Sequence, residues 1–473
     1  MTRTIIMIMV CLLLGHALNS LAQEPLVISD DKLIINDVIV EGNRITKENI
    51  ILRELVFQVG DTILKMEFLP ALQRSKDNLL NLALFNFAHF DATHLPGNRI
   101  NIQVRVVERW YLWPIPILEY ADRNFNELIK NKDWEKINYG AWLKWSNFRG
   151  LNDLLAAKVR LGYVNQYALS YSIPNLGRNQ RHGLSSGFSL NQQDEVIIST
   201  VHNVPVEYKP LNSPAQTKID AYFKYQYRRK LYGTHDFRFE YDDYGISDSV
   251  AYENPNYLGG GDTHLAFFKL RYAYTYDIRD SKVYPLEGFK VELGIEQQGL
   301  GILSNFDYPS LRVEGILMYH QKLAGRFYFY NITKGRYSSE KVPPYVLNQA
   351  FGYNVYMSGY EPYVLDGTDY FITKYSLKLQ LIKPSTYVVP FIKMEQFNKI
   401  HYALYFNLFA DAGYVNNFFP HPTNTMLNTW QFSMGAGLDF VTYYDQVFRV
   451  DIVINKYGEY GFFFHLSTPF DRW

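Results

Sequence analysis

The chain has 473 residues, and 47 Lys+Arg balance 47 Asp+Glu to a formal net charge of zero. That balance excludes a general basic attraction to nucleic acid or to acidic substrates. Aromatic residues make up 16%, with 39 Tyr and 32 Phe. This is high for a soluble enzyme and suits the aromatic girdles of a membrane barrel, and the slightly negative mean hydropathy fits strands with only one face toward lipid.

Arg3, the apolar run Ile5 to Leu14 and the small-residue site Ser20-Leu21-Ala22 read as a secretory signal peptide over residues 1–22, cleaved before Gln23. Cys11, the single cysteine, lies inside it, and Val10 before it is a poor fit to a lipoprotein processing site. The exported chain is therefore expected to hold no disulfide. Beyond the signal no apolar run reaches the roughly 18 residues that a membrane helix needs.

After a short segment, 23–32, the text of residues 33–112 differs from all that follows. Ile34, Val38 and Val40 predict a strand ending at Gly42-Asn43, Lys47 to Leu55 has helical spacing, and Gly60-Asp61 breaks it. A longer helix fits Glu67 to Leu84, with Phe68, Leu72, Leu79, Leu80 and Leu82 on or near one stripe. Two strands, Phe87 to Thr93 and Ile100 to Val107, flank the turn Pro96-Gly97-Asn98. The order is β-α-α-β-β. Val40-Glu41-Gly42-Asn43, Gly60-Asp61, and Leu84-Phe85 before a strand resemble a POTRA domain. The resemblance implies a periplasmic module that handles clients by adding a strand to its sheet edge.

From Trp113 to Trp473 the helical period disappears and period-two alternation takes over. Candidate strands fall near Ile115–Arg123, Asn138–Trp145, Leu154–Gly162, Tyr167–Ile173, Gly183–Asn191, Lys218–Tyr227, Thr234–Tyr244 and His264–Tyr276. They continue near Gly288–Gln297, Ser310–Gln321, Arg326–Lys334, Phe371–Leu381, Ala403–Tyr414, Gln431–Val441, Gln446–Asn455 and Gly461–Thr468. The expected fold is thus a 16-stranded antiparallel transmembrane β-barrel behind one small α+β domain, the even strand number being what a single-chain bacterial barrel requires. In one strand Ala221, Phe223, Tyr225 and Tyr227 would face lipid while Asp220, Lys224, Gln226 and Arg228 face the lumen. Short turns (Arg149–Asp153, Lys230–Gly233, Leu323–Gly325, Thr442–Asp445) alternate with long insertions (Gln192–Thr217, Gly245–Thr263, Gly335–Tyr370). The connection Ile382–Tyr402 breaks this pattern, being long on the short-turn side.

Asp277-Ile278-Arg279-Asp280 with Pro285 and Gly288, Phe409-Ala410-Asp411-Ala412-Gly413-Tyr414, and Gly435-Ala436-Gly437-Leu438 resemble motifs of the Omp85 superfamily, the last two its thirteenth and fourteenth strands. Met357-Ser358-Gly359-Tyr360, with Asp366-Gly367, is similar to the tip of that family's sixth extracellular loop, which folds back into the lumen. The family carries an Arg where this chain has Ser358. An Arg there would pair with an acidic lumen residue such as Asp411, so either another cation compensates or the loop is held less firmly. Gly359 and Gly367 could equally serve tight turns.

The resemblance implies a seam between the first strand (Ile115, Ile117, Leu118, Tyr120) and the last (Phe462, Phe464, Leu466) that opens to template incoming β-strands. Pro114 and Pro116 lack backbone donors, and Pro469 ends the last strand. Gly183-Leu184-Ser185-Ser186-Gly187 matches G-x-S-x-G but sits inside an alternating strand, not at a strand–turn–helix elbow. No Walker loop, H-E-x-x-H or Cys-based zinc site occurs, and Asp242-Asp243 reads as a solvated face. The expected function is assistance to insertion of outer-membrane barrel proteins, without enzymatic activity, cofactor or nucleic acid. Its expected partners are unfolded clients, outer-membrane lipid and accessory lipoproteins. Alternatives are a two-partner secretion pore or a passive porin-like barrel.

Overall fold

The computed structural model describes residues 32–120, 136–211, 213–303, 306–442, 444 and 446–466. The signal peptide with Cys11, the end of the first expected strand at Arg123, and Pro469 lie outside them.

The amino-terminal domain runs β1 (Lys32–Glu41), α1 (Glu48–Leu52), β2 (Thr62–Leu64), α2 (Lys65–Leu80), β3 (Phe85–Leu95) and β4 (Arg99–Glu108). Its sheet has the order β2-β1-β4-β3, with β1 and β4 parallel. Alternation makes β4 two-faced: Ile100, Ile102, Val104 and Val106 are buried with Ile35, Ile50, Ile51 and Leu79 from β1 and the helices. The five-element order gains one element, because Thr62–Leu64 after the Gly60-Asp61 turn pairs with Lys32–Ile34. Gly42 has φ +88°, and a β-carbon there would run into the carbonyl oxygen of Val106, so this turn tolerates only glycine.

Sixteen strands among the described residues form one antiparallel sheet: β5 (Leu112–Tyr120), β6 (Ile137–Ser146), β7 (Leu154–Gly162), β8 (Val164–Leu176), β9 (His182–Gln193), β12 (Gln216–Arg228), β13 (Gly233–Ile246), β14 (His264–Asp277), β15 (Gly288–Gln298), β16 (Ser310–Ala324), β17 (Phe327–Ser338), β20 (Asp369–Val388), β21 (Lys399–Asn416), β22 (Gln431–Thr442), β23 (Val447–Asn455) and β24 (Tyr460–Leu466). Short hairpin strands β10 (Val196–Val201) with β11 (Val204–Tyr208), and β18 (Gln349–Phe351) with β19 (Leu365–Asp366), lie in the long loops. The sheet is rolled into a barrel. The β10–β11 hairpin meets the β21–β22 loop, half the sheet away, where Asn203 N–H donates to Asn424 Oδ1 (2.8 Å) and Asn424 Nδ2 to the Thr200 carbonyl (2.7 Å).

Alternation sorts the wall as the sequence implies. Phe223, Phe237, Phe239, Leu293 and Ile295 are exposed on the outside. Inside, Lys269 Nζ sits 2.7 Å from Glu240 and 2.6 Å from Asp242, and Lys334 3.2 Å from Glu314. Asp242 is therefore not on a solvated face: it is buried against Lys269, while Asp243 accepts from Tyr241 and His264.

One expected element is corrected. The long connection Ile382–Tyr402 is strand for most of its length: β20 and β21 keep pairing from Ile382↔Leu404 to Val388↔Lys399, leaving only residues 389–398, with the one-turn helix α3 (Glu395–Asn398). Two register shifts, at Gln380/Ile382 and Ile382/Ser385, interrupt the alternation.

The short-turn mouth is covered by the amino-terminal domain. Arg228 at the end of β12 donates twice to Glu54 (2.6 and 2.8 Å), Arg74 Nη2 donates to the Ile278 carbonyl (2.7 Å), and Asn81 Nδ2 to the Asp280 carbonyl (3.0 Å). On the opposite rim Lys47 N–H donates to the Gly150 carbonyl (3.0 Å) and Asn86 Nδ2 to Gln396 (3.1 Å). Arg53, hydrogen-bonded to Asn175, is lowered to about 10 by burial and by neighbouring Arg228.

Burial raises the Asp77 carboxyl on α2 to about 6, with Asp280 of the β14–β15 turn adding repulsion. A raised carboxyl favours the docked fold when protonated. That contribution is full below the ordinary carboxylate range and is lost as pH rises through about 6. Acidification from neutral pH should thus slow proteolytic release of residues 32–108 severalfold, and Asp77→Asn should make release slow and independent of pH across this range.

Candidate lateral seam and inward loop

Residues 339–368, between β17 and β20, turn back into the barrel and pack on the inner wall of β21–β23. Ser358 N–H donates to Asp411 Oδ2 (3.1 Å), Asn455 Nδ2 donates to the Gly359 carbonyl (3.1 Å), and Tyr360 hydroxyl donates to the Phe432 carbonyl (3.1 Å). Met357 is buried beside them. Gly359 has φ +78° and so does serve a turn. Gly367 has no such φ; its reason is close approach, since a β-carbon would strike Val415 and the Asn416 carbonyl. Asp366 accepts from the Tyr353 hydroxyl (2.6 Å), and its carbonyl accepts from Asn417 (3.0 Å).

The cation missing at position 358 is supplied from the wall. Lys374 faces Asp411 directly across the β20–β21 ladder, Nζ to Oδ2 3.6 Å, and Asp411 is 4% exposed. The loop thus keeps a charged anchor, with a backbone N–H in place of a guanidinium. Lys374 carries no family motif, and only the register of β20 against β21 marks it. The same holds for Arg336, which donates to the Thr368 (3.0 Å) and Gly367 (3.1 Å) carbonyls and to that of Gln349, and for Glu459, which accepts from Tyr363 (2.6 Å).

The turn motif is equally specific. Arg279 pairs with Asp277 through two bonds (2.9 and 2.8 Å), and Asp280 Oδ1 accepts three backbone N–H groups, from Ser281, Leu286 and Glu287. Gly288, φ +98°, lies against the Ile278 carbonyl where no side chain fits.

β5 and β24 are the ends of the sheet order, and among the described residues no ladder joins them. Every other neighbour in the barrel is paired. β5 starts earlier than expected, at Leu112, and pairs with β6 from Leu112↔Trp145 to Tyr120↔Ile137. Leu118 is 81% exposed and Ile117 buried, while Ile115 is half-buried. Across the gap Phe462 is 71% and Phe464 60% exposed, and Leu466 pairs with Phe448. Pro114 and Pro116 sit inside an unbroken β5–β6 ladder, so their hydrogen-less nitrogens belong to the edge away from β6. Two same-side donors are thereby absent from the free edge of β5.

The POTRA-motif residues form turns. Glu41 ends β1, 3.9 Å from Arg105; Asn43 Nδ2 donates to the Thr46 carbonyl (3.1 Å); Gly60 has φ +91°, and Asp61 Oδ2 accepts from Gln58 N–H (2.8 Å). Ser185 of the G-x-S-x-G run lies within β9, its hydroxyl bonded to Ser172 (2.7 Å). Among the described residues no cluster of His, Cys, Asp and Glu could hold a metal ion.

Residues 147–468 match the Omp85 superfamily domain. The chain belongs to the Omp85 superfamily. Among solved structures it is similar to BamA from Haemophilus ducreyi lacking POTRA domains 1-3, at 15% identity and TM-score 0.50, covering 92% of this chain and 84% of that one. It is also similar to CdiB from Escherichia coli, at 10% identity and TM-score 0.56, covering 92% and 76%. It matches no curated protein sequence. As an Omp85 barrel it is an outer-membrane protein, and the strand-thirteen and strand-fourteen motifs fall in β21 and β22, the thirteenth and fourteenth barrel strands.

Lys374→Ala should strand a buried carboxylate and cost about 3 kcal/mol of loop seating, seen as faster protease cleavage within residues 339–368 in reconstituted protein. Adding Ser358→Arg to that variant should restore protection.

Proposed function

We propose that this Omp85 protein assists insertion of other β-barrels into the outer membrane through the seam between β5 and β24, with its amino-terminal domain in the periplasm. The observation that carries this reading is the unladdered edge. A sheet in hydrocarbon has no water to satisfy its backbone, so an edge left open beside lipid is a place where an incoming strand gains hydrogen bonds that nothing else supplies. The client would pair first with β24, whose ladder to β23 is regular, while β5, poor in donors, releases easily. The work is templated hydrogen bonding, and no nucleotide or metal enters it.

The domain side of the barrel would be periplasmic, since the short turns and the docked domain lie there and the long loops at the other mouth. The domain's free sheet edge is the far half of β3, Asp91–Leu95, which is largely exposed and would receive extended client segments. Accessory lipoproteins, if they dock, would meet this domain. The folded-in loop and the docked domain both narrow the lumen, which counts against a passive channel.

The test bridges the seam. A Leu118→Cys, Phe464→Cys pair, closed by a reversible cross-linker, should abolish the acceleration of client-barrel folding in proteoliposomes, and reduction should restore it. Full acceleration in a fully bridged sample would contradict the seam mechanism. Steady ion conduction with no effect on client folding would assign a passive channel instead.

A further inference from the structure

The β20–β21 pair outruns the wall. β20 pairs with β17 only as far as Leu379, and β21 pairs with β22 only from Tyr402. From Leu381 to Ile400 the two strands therefore form a ribbon with both outer edges free, roughly 25 Å long at about 3.3 Å per residue. Pro384 fits there because no neighbour awaits its missing N–H.

One side of the ribbon is occupied. Gln396 accepts from Asn86, the His401 ring lies 4.6 Å from that of Phe87, and Phe397 packs on Trp110 and Trp113 (6.0 and 6.2 Å) at the start of β5. Tyr444 of the β22–β23 turn joins this cluster, 5.0 Å from Trp113. The ribbon tip thus reaches under the seam. The other side is bare and apolar: Tyr387 on that face of β20 and Phe391 and Met394 at the tip are exposed, Phe391 to 83%, with Lys383 and Lys393 exposed among them. Residues 381–400 hold three lysines and one acid, Glu395.

We infer that this bare side lies on the bilayer surface beside the seam, with Lys383 and Lys393 on anionic phospholipid headgroups and Phe391 in the interface. β20 is continuous with the lipid-facing wall, where Tyr375 and Leu377 are exposed on the outside, so the ribbon leaves the barrel at the membrane boundary. Aromatic and apolar side chains interleaved with lysines are the composition that such a boundary selects. The ribbon then fixes the rim where β5 begins relative to the leaflet, so that displacing it moves the seam.

This rests on the outer-membrane location alone, and bridging the seam does not bear on it. The full chain carrying Phe391→Cys, labelled with a polarity-sensitive fluorophore, is reconstituted in phosphatidylcholine vesicles with and without phosphatidylglycerol. The expected result is blue-shifted emission, quenched by headgroup-level nitroxide lipid, chiefly when phosphatidylglycerol is present. Lys383→Gln and Lys393→Gln should each weaken this about fivefold, with unchanged heat-modifiable gel migration as the check on folding. Emission as in water in both lipids overturns the inference, as does burial indifferent to lipid charge and to both lysines. Protection that appears only on adding an unfolded client barrel overturns it too, and assigns the surface to protein.

Discussion

Everything in this structure depends on backbone hydrogen bonds made where there is no water to replace them. In hydrocarbon an unpaired N–H or C=O costs several kcal/mol, so a strand can sit there only with partners on both sides. Fourteen of the sixteen described barrel strands have both partners, and β5 and β24 have one each. The fold therefore concentrates its unmet bonding at one line on the lipid-facing surface. Pro114 and Pro116 set the character of that line: an edge that lacks donors at two positions gains less from pairing than a regular one.

The lumen obeys the complementary rule. Inward side chains are charged, and burial forces them to find each other, as in Lys269 with Glu240 and Asp242, and Lys374 with Asp411. The loop tip uses one of these pairs as its seat. Replacing the family's Arg by Ser358 shortens the reach of the loop by a side chain, and the backbone N–H of the same residue makes the bond to a carboxylate that Lys374 already holds in place. The departure from the motif thus leaves a seated loop with a different charge distribution.

Much of this was legible in the sequence. Period-two alternation located every barrel strand, and β7 (Leu154–Gly162) was placed to the residue. The ends of the others moved by one to several residues, mostly outward, because ladder partners and not local pattern decide where a strand stops. The stretch after Leu381 misled because two register shifts and Pro384 erase alternation in a strand that continues to Val388. β2 was too short to leave a pattern. Gly42 and Gly359 were readable from their motifs, but Lys374 was one lumen-facing lysine among many until the β20–β21 register set it opposite Asp411. The docking of the amino-terminal domain across the mouth, through Glu54 with Arg228 and Arg74 with Ile278, joins residues far apart in the chain and leaves no local trace.

Amide hydrogen exchange of the protein in lipid nanodiscs tests the unladdered edge most directly. The backbone amide of Leu118, the free-edge donor that follows Pro114 and Pro116 on β5, and those of the free-edge positions of β24 should exchange far faster than amides of interior strands such as β13 and β14. Protection of both edge strands equal to that of β13 and β14 would mean that the cylinder is stitched all the way round, and the account would fail at its centre.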